Sequence, residues 1–201
     1  MNGFRGEALP LPVEEIPALA HKFDLEGAVL RAVVAVESAG NGFDASGRPK
    51  ALFERHHFNK WLVKRIKSDV LAAATEAGLA YPKWGTKPYP KGSDAVYAEI
   101  EAAYEMAPEE ALLSTSWGLG QVMGSNYAMV GCKTVEDMVE EAMHSEANQL
   151  THMINFIKSA NLLDALRDRE WATFAKGYNG PGYATNHYDT KLETAYQRFT
   201  A

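Results

Sequence analysis

The stretch Arg31-Ala-Val-Val-Ala-Val-Glu37-Ser38-Ala-Gly40-Asn-Gly42 constrains the fold more than any other part of the chain. Leu25, Ala28, Val29, Ala32, Val33 and Val36 recur at helical spacing, and Val34 and Ala35 fill the positions between them. Such a run predicts a central helix buried all round, with Asp24 as its N-cap. Gly40 and Gly42 then turn the chain. The last helical residue is therefore a carboxylate, Glu37, at the end of a buried element. A carboxylate removed from water is costly unless it is partnered or keeps its proton. A proton kept near neutral pH is what a general acid needs. The alternative is a side chain at a frayed helix end that points to water, and the rest of the chain decides between the two.

The 201 residues suffice for one domain with a sizeable core. The net charge of −6 argues against bulk attraction to nucleic acid or to anionic surfaces. The basic run from Lys60 to Lys67 reads as a solvated helix face. No apolar run reaches the ~18 residues that a membrane span needs, so no membrane insertion is expected. The first ten residues lack an apolar signal core, which predicts production in the cytoplasm. Cys132 is the only cysteine, so no internal disulfide can form. With no histidine beside it in sequence, it reads as a small buried hydrophobe.

Along the chain, residues 14–22 predict a short helix with Pro17 near its start. Residues 42–54 predict a small β-hairpin around Ala-Ser-Gly47-Arg-Pro49, and helical patterning resumes from Arg55 to about Ala77. Residues 80–93 carry three prolines, two glycines and the aromatics Tyr81, Trp84 and Tyr89, the composition of a loop. A helix at 94–106, a Ser/Gly turn at 114–120 and a long helix from Thr134 to about Ala160 follow. Two more helices, near 161–175 and 187–199, flank Gly177-Tyr-Asn-Gly-Pro-Gly182. The sum is a mostly α chain with a small β lobe, its first 23 residues peripheral.

Three motifs share chemistry. After Glu37-Ser38 comes Ser116-Trp-Gly-Leu-Gly-Gln121-Val-Met, where glycines let a backbone turn pass close to something bulky and Gln121 offers an amide. Then comes Gly177-Tyr178-Asn179-Gly180, a helix end presenting a phenol and an amide. Helix-Glu-Ser, Gly-Leu-x-Gln and Tyr-Asn-x-Gly, in that order, resemble the lysozyme-like superfamily in its goose-type lysozyme and lytic transglycosylase branch. With Gly42-Phe43 and Ala51-Leu-Phe-Glu54-Arg-His56 added, the chain is similar to the phage-type N-acetylmuramidases, catalytic domains of endolysins, from about residue 24 to 199.

The resemblance implies one lysozyme-like catalytic domain over residues 1–201, acting on the glycan strands of bacterial peptidoglycan as a monomer and without a cofactor. It implies that Glu37 is the acid, and the dipole at a helix C-terminus and apolar neighbours would raise its pKa accordingly. Ser116, Tyr178 and Asn179 match positions that orient the acid or contact substrate, and Gln121 would bond a sugar substituent. Glu54 is the candidate second carboxylate, on the returning strand of the hairpin, with Asp44 on the outgoing strand as its competitor and an ion pair with Arg55, Arg48 or a histidine as its structural alternative. If Glu54 activates water the enzyme hydrolyses; otherwise the muramoyl 6-hydroxyl attacks, as in lytic transglycosylases. A signal-less lysin would stay in the cytoplasm of the infected cell until the membrane is permeabilised. Other classes are a non-catalytic wall-binding protein on the same scaffold and a metal-dependent amidase, although no His-Glu-x-x-His spacing supports a metal. Tyr81, Trp84 and Tyr89 are candidates to stack on sugars or to plug their loop.

Overall fold

A computed structural model describes residues 3–37 and 41–201. Ser38 and Gly40 of the first motif lie outside the described residues. Helix α1 spans Ile16–Lys22, with Pro17 in its first turn, where the missing N–H costs no helical bond. Helix α2 spans Gly27–Glu37. Asp24 does not cap it. Asp24 takes a left-handed conformation (φ 55°) in the turn that closes α1, and α2 begins three residues later. Nor is α2 buried all round: Val29, Leu30, Ala32 and Val33 are buried, whereas Ala35 is exposed and Val34 and Val36 are half-buried. The helix packs against α1 on one side and against the last helix of the chain, α11 (Tyr188–Thr200), on another.

The expected hairpin is reduced to one bridge, Phe43 to Pro49, around a turn closed by Asp44 N–H to Arg48 O at 2.8 Å. The following strand β1 (Ala51–Phe53) pairs elsewhere. It runs antiparallel to β2 (Thr115–Trp117), which pairs in turn with β3 (Val122–Met123). Leu52 faces Ser116, and Ser116 faces Met123. The segment read as a turn over 114–120 thus contains a strand, and the turn itself is 118–121, with positive φ at Gly118 and Gln121. Strands of two or three residues are too short for an alternating pattern to reveal.

Helices α3 (Arg55–Lys64) and α4 (Ser68–Glu76) are separated at Ile66 (φ 56°), and α5 (Ser93–Met106) and α6 (Pro108–Leu113) follow. Thr134 caps α7 (Val135–His144) in a reciprocal capping box with Asp137. The single long helix expected from here is two helices. Ser145 is extended and caps α8 (Glu146–Ser159), and the N-terminal segment occupies the break, with Leu9 N–H on His144 O and Glu146 N–H on Leu9 O, both at 2.9 Å. The helix expected over 161–175 is likewise interrupted at Arg169 (φ 56°), giving α9 (Leu163–Arg167) and α10 (Trp171–Asn179).

Two apolar clusters result. One joins the sheet to α3–α7 through Phe53, Phe58, Tyr97, Ile100 and Trp117; the other joins α1, α2 and α8–α11 through Leu30, Val33, Leu150, Phe174 and Leu192. Residues 3–23 are not peripheral: Phe4 is buried in the first cluster, stacked on Trp117 at 5.6 Å, and Ile16 and Ala20 belong to the second. Among the described residues no helix is long and apolar enough to cross a membrane.

Candidate active site

Glu37 ends α2 and lines a cleft together with Val96 of the first cluster and Leu119 of the second. Burial pushes its carboxyl from the ordinary 4.5 up to about 7, against the Asn179 amide and the positive charge of Lys191, which both pull it down. Asn179 Nδ2 stands 3.2 Å from each carboxylate oxygen. An acid that is half ionised near neutrality, with a neutral donor to hold its orientation, is suited to giving a proton and taking it back.

Asn179 is the last residue of α10, and Tyr178 beside it does a different job. The Tyr178 hydroxyl donates to Gly120 O at 2.8 Å, and its ring stacks on Phe174 one turn earlier at 5.4 Å. Burial, and then the Glu37 charge, raise its hydroxyl well above the usual range, so it remains a neutral donor. The helix end thus fixes the acid with one residue and the facing glycine turn with the other.

That turn is clamped from within. Ser116 Oγ donates to Gln121 Oε1 at 3.0 Å, and Gln121 Nε2 donates to Gly118 O at 2.9 Å and Lys50 O at 3.1 Å. The Gln121 amide therefore closes the β2–β3 turn onto the chain before β1, and both ends of it are engaged before any sugar arrives. Behind the turn stands Gln149 of α8, which accepts from Leu119 N–H at 2.9 Å and donates to Ala142 O at 2.8 Å. A Cβ at Gly42 would lie 1.9 Å from Gln149 Oε1, and one at Gly118 2.7 Å from its Cδ. Both glycines are needed because this amide passes so close. Glu146, one turn earlier, accepts from Gly42 N–H at 2.6 Å and Leu11 N–H at 2.8 Å. Sequence reasoning missed Gln149 and Glu146. Their one signal is the presence of two polar residues on the buried face of α8.

A cleft of about 450 Å³ runs from Glu37 past Leu52, Ser93 and the Gly118–Gln121 turn, with Asp44 in its wall. The Asp44 carboxylate is saturated. Oδ1 accepts from Ser46 N–H (2.8 Å) and Arg48 N–H (2.9 Å), and Oδ2 from Arg48 Nε (2.8 Å) and Ser93 Oγ (2.5 Å). Burial pushes its pKa up, but these bonds outweigh burial and hold it below the ordinary value. Arg48 also bridges to Asp94 and lies over the Tyr97 ring, which locks the bend into the first cluster.

Glu54 follows β1 directly, its N–H on Ser114 O at 2.8 Å. It lies outside the strand, at the N-cap of α3 (φ −97°, ψ 89°), and not on the returning strand of a hairpin. Glu37 and Asp44 line the described cleft together; Glu54 is not among its lining residues. Glu54 Oε2 accepts from the Tyr89 hydroxyl at 2.5 Å and stands 3.3 Å from His56 Nδ1. Burial and this carboxylate push the Tyr89 hydroxyl up to about 12. Of the ion-pair partners considered for Glu54, Arg55 pairs with Glu99 and Arg48 with Asp44 and Asp94, which leaves His56. Trp84 donates to Tyr89 at 3.1 Å and is itself largely exposed, at the lip of a shallow pocket shared with Tyr81. Cys132 is buried away from the cleft lining, and burial pushes its thiol up to about 12.

A sequence model of the N-acetylmuramidase family matches residues 26–200. Among solved structures, the crystal structure of a Burkholderia AP3 phage endolysin is similar to this one with a TM-score of 0.86 and 36% identity, over 98% of this chain and 74% of that one. No curated protein sequence matches the chain.

Proposed function

The chain belongs to the N-acetylmuramidase family, and from that premise we propose that Glu37 is the general acid with which it cuts the β-1,4 bond between N-acetylmuramic acid and N-acetylglucosamine. The protein is a glycoside hydrolase of bacterial peptidoglycan. The observation that carries the residue assignment is a carboxyl at the end of α2 that lines the cleft and is raised to about 7 by desolvation. Near neutral pH about half the molecules hold the proton that the leaving oxygen needs. As the bond breaks, Glu37 becomes an anion, and the Asn179 amide and the Lys191 charge stabilise that form.

Glu54 is proposed to assist the attacking water. Asp44 has both oxygens doubly engaged and a lowered pKa, which makes it a poor base. Among the described residues Glu54 uses only Oε2, toward Tyr89 and His56, and it directly follows the strand whose Ala51 and Leu52 line the cleft. Ser116 and Gln121 shape the cleft wall through the glycine turn, and Tyr178 holds the turn in place. The likeness to a phage endolysin supports a lytic role: a monomer, made in the cytoplasm of the infected cell, that inserts into no membrane and reaches the wall after permeabilisation.

Digestion of purified peptidoglycan by wild type, Glu37→Gln and Glu54→Gln, read by mass spectrometry and a reducing-end assay, tests the assignment. Reducing muramic acid ends that disappear in both variants are expected. Anhydro ends that survive Glu54→Gln would make the reaction a transglycosylation and remove Glu54 from it.

A further inference from the structure

Outside the cleft lining, three side chains from three separate segments converge. Cys132 closes the loop after β3, Glu141 lies on α7 and His152 on α8. Cys132 Sγ is 3.6 Å from His152 Nε2 and 3.6 Å from Glu141 Oε2, and the last two atoms are 2.8 Å apart. Zinc bonds of ~2.3 Å to sulfur and ~2.0 Å to nitrogen and oxygen, arranged tetrahedrally, place sulfur roughly 3.5 Å from the other donors and those donors roughly 3.3 Å from each other. Two of the three edges already fit. The third must open by about half an ångström, and Glu141, the member of that pair with 52% of its side chain exposed, can move to open it.

The loop that carries Cys132 is held in place without help from the cluster. Asn155 Nδ2 donates to Val130 O and Ser159 Oγ to Met129 O, both at 2.8 Å, and Cys132 N–H bonds Tyr127 O at 3.0 Å. Both anchoring side chains are on α8, the helix that supplies His152. Cys132 and His152 are buried, so a ligand would be enclosed on their side and open to water at Glu141. Sulfur, imidazole and carboxylate together form a donor set that zinc accepts and that magnesium and calcium do not favour.

We propose that Cys132, Glu141 and His152 bind a zinc-class divalent ion, with water as the fourth ligand on the Glu141 side. On binding, the Cys132 thiol releases its proton to solvent, His152 offers the lone pair of Nε2 with its hydrogen on Nδ1, and no electron changes hands. The ion staples the 124–133 loop to α7 and α8. Gln149, which holds the glycine turn of the cleft, is on α8 one turn before His152, so the site braces the cleft from behind without lining it.

Titration of cobalt(II) into chelator-treated, intact protein tests this. A thiolate-to-cobalt charge-transfer band that saturates at one equivalent and is displaced by zinc is expected. Cys132→Ser removes the band, and Glu141→Gln, at an exposed position that does not endanger folding, weakens binding by about tenfold or more. Zinc raises the melting temperature of the wild type and not of Cys132→Ser. No band at one equivalent overturns the proposal, as does a band that survives Cys132→Ser in protein whose circular dichroism is unchanged. If Cys132→Ser does not fold, cobalt affinity equal in wild type and Glu141→Gln overturns it.

Discussion

Glu37 and Asp44 are seven residues apart, line one cleft and carry the same functional group, yet the protein treats them in opposite ways. Glu37 is half-buried, meets one amide donor among the described residues and feels the charge of Lys191, and its pKa rises to about 7. Asp44 is surrounded by four donors, two of them from Arg48, and its pKa falls. Burial penalises both charges, and the number of donors decides which way each pKa moves. One carboxyl keeps a proton to give away; the other is an anion at neutral pH that ties a bend together.

The contrast predicts where each substitution is felt. The largest effect is expected from Glu37→Gln, which lowers peptidoglycan cleavage by about 10³-fold while leaving circular dichroism unchanged. The same variant becomes more stable in alkali. A folded-state pKa near 7 against an ordinary 4.5 means that folding favours the protonated form. Ionising Glu37 costs nothing below pH 4.5, costs more as pH rises from 4.5 to 7, and reaches a plateau of up to about 3 kcal/mol above that. Denaturant unfolding at pH 8 should show a gain for Glu37→Gln that vanishes at pH 4; an equal gain at both would break the contrast.

Asp44→Asn should do the reverse. It loses about 2 kcal/mol at pH 7, because Arg48 keeps only Asp94 and an amide nitrogen replaces one accepting oxygen. With a lowered folded-state pKa, the Asp44 contribution is present above the ordinary 3.8 and disappears as pH falls through the folded value, so wild type and variant should converge in acid. A cleavage loss for Asp44→Asn as large as that of Glu37→Gln, with stability intact, would give Asp44 the catalytic second place proposed for Glu54.

What the sequence made legible follows the same division. Glu37 stands out because an apolar helical run ends on it, and Tyr178-Asn179 because a helix end with a phenol and an amide is a local pattern. The fold class follows from helical periodicity in the longer segments. The pairing of Ala51–Phe53 with Thr115–Trp117 joins three-residue strands more than sixty residues apart, and nothing local encodes it. The break at Ser145 is made by Leu9, which arrives from the other end of the chain. Gln121 reads as a ligand for substrate in sequence; the structure puts it in the cleft lining and adds a clamp that the sequence does not show, because its partners Lys50 and Ser116 are brought to it by the sheet. Asp44 and Glu54 cannot be ranked from sequence, since what separates them is which donors each one meets.

The smallest shift is the most diagnostic. Asn179 favours the ionised form of Glu37, so Asn179→Ala should raise the Glu37 pKa above about 7. The measurement to make is the pH dependence of kcat/KM for glycan cleavage in wild type and Asn179→Ala, since that parameter reports the free enzyme's acid. An alkaline limb near pH 7 in the wild type that moves upward in the variant is expected. A wild-type rate with no limb near 7, or one that Asn179→Ala leaves in place, would contradict Glu37 as the acid that the fold keeps protonated.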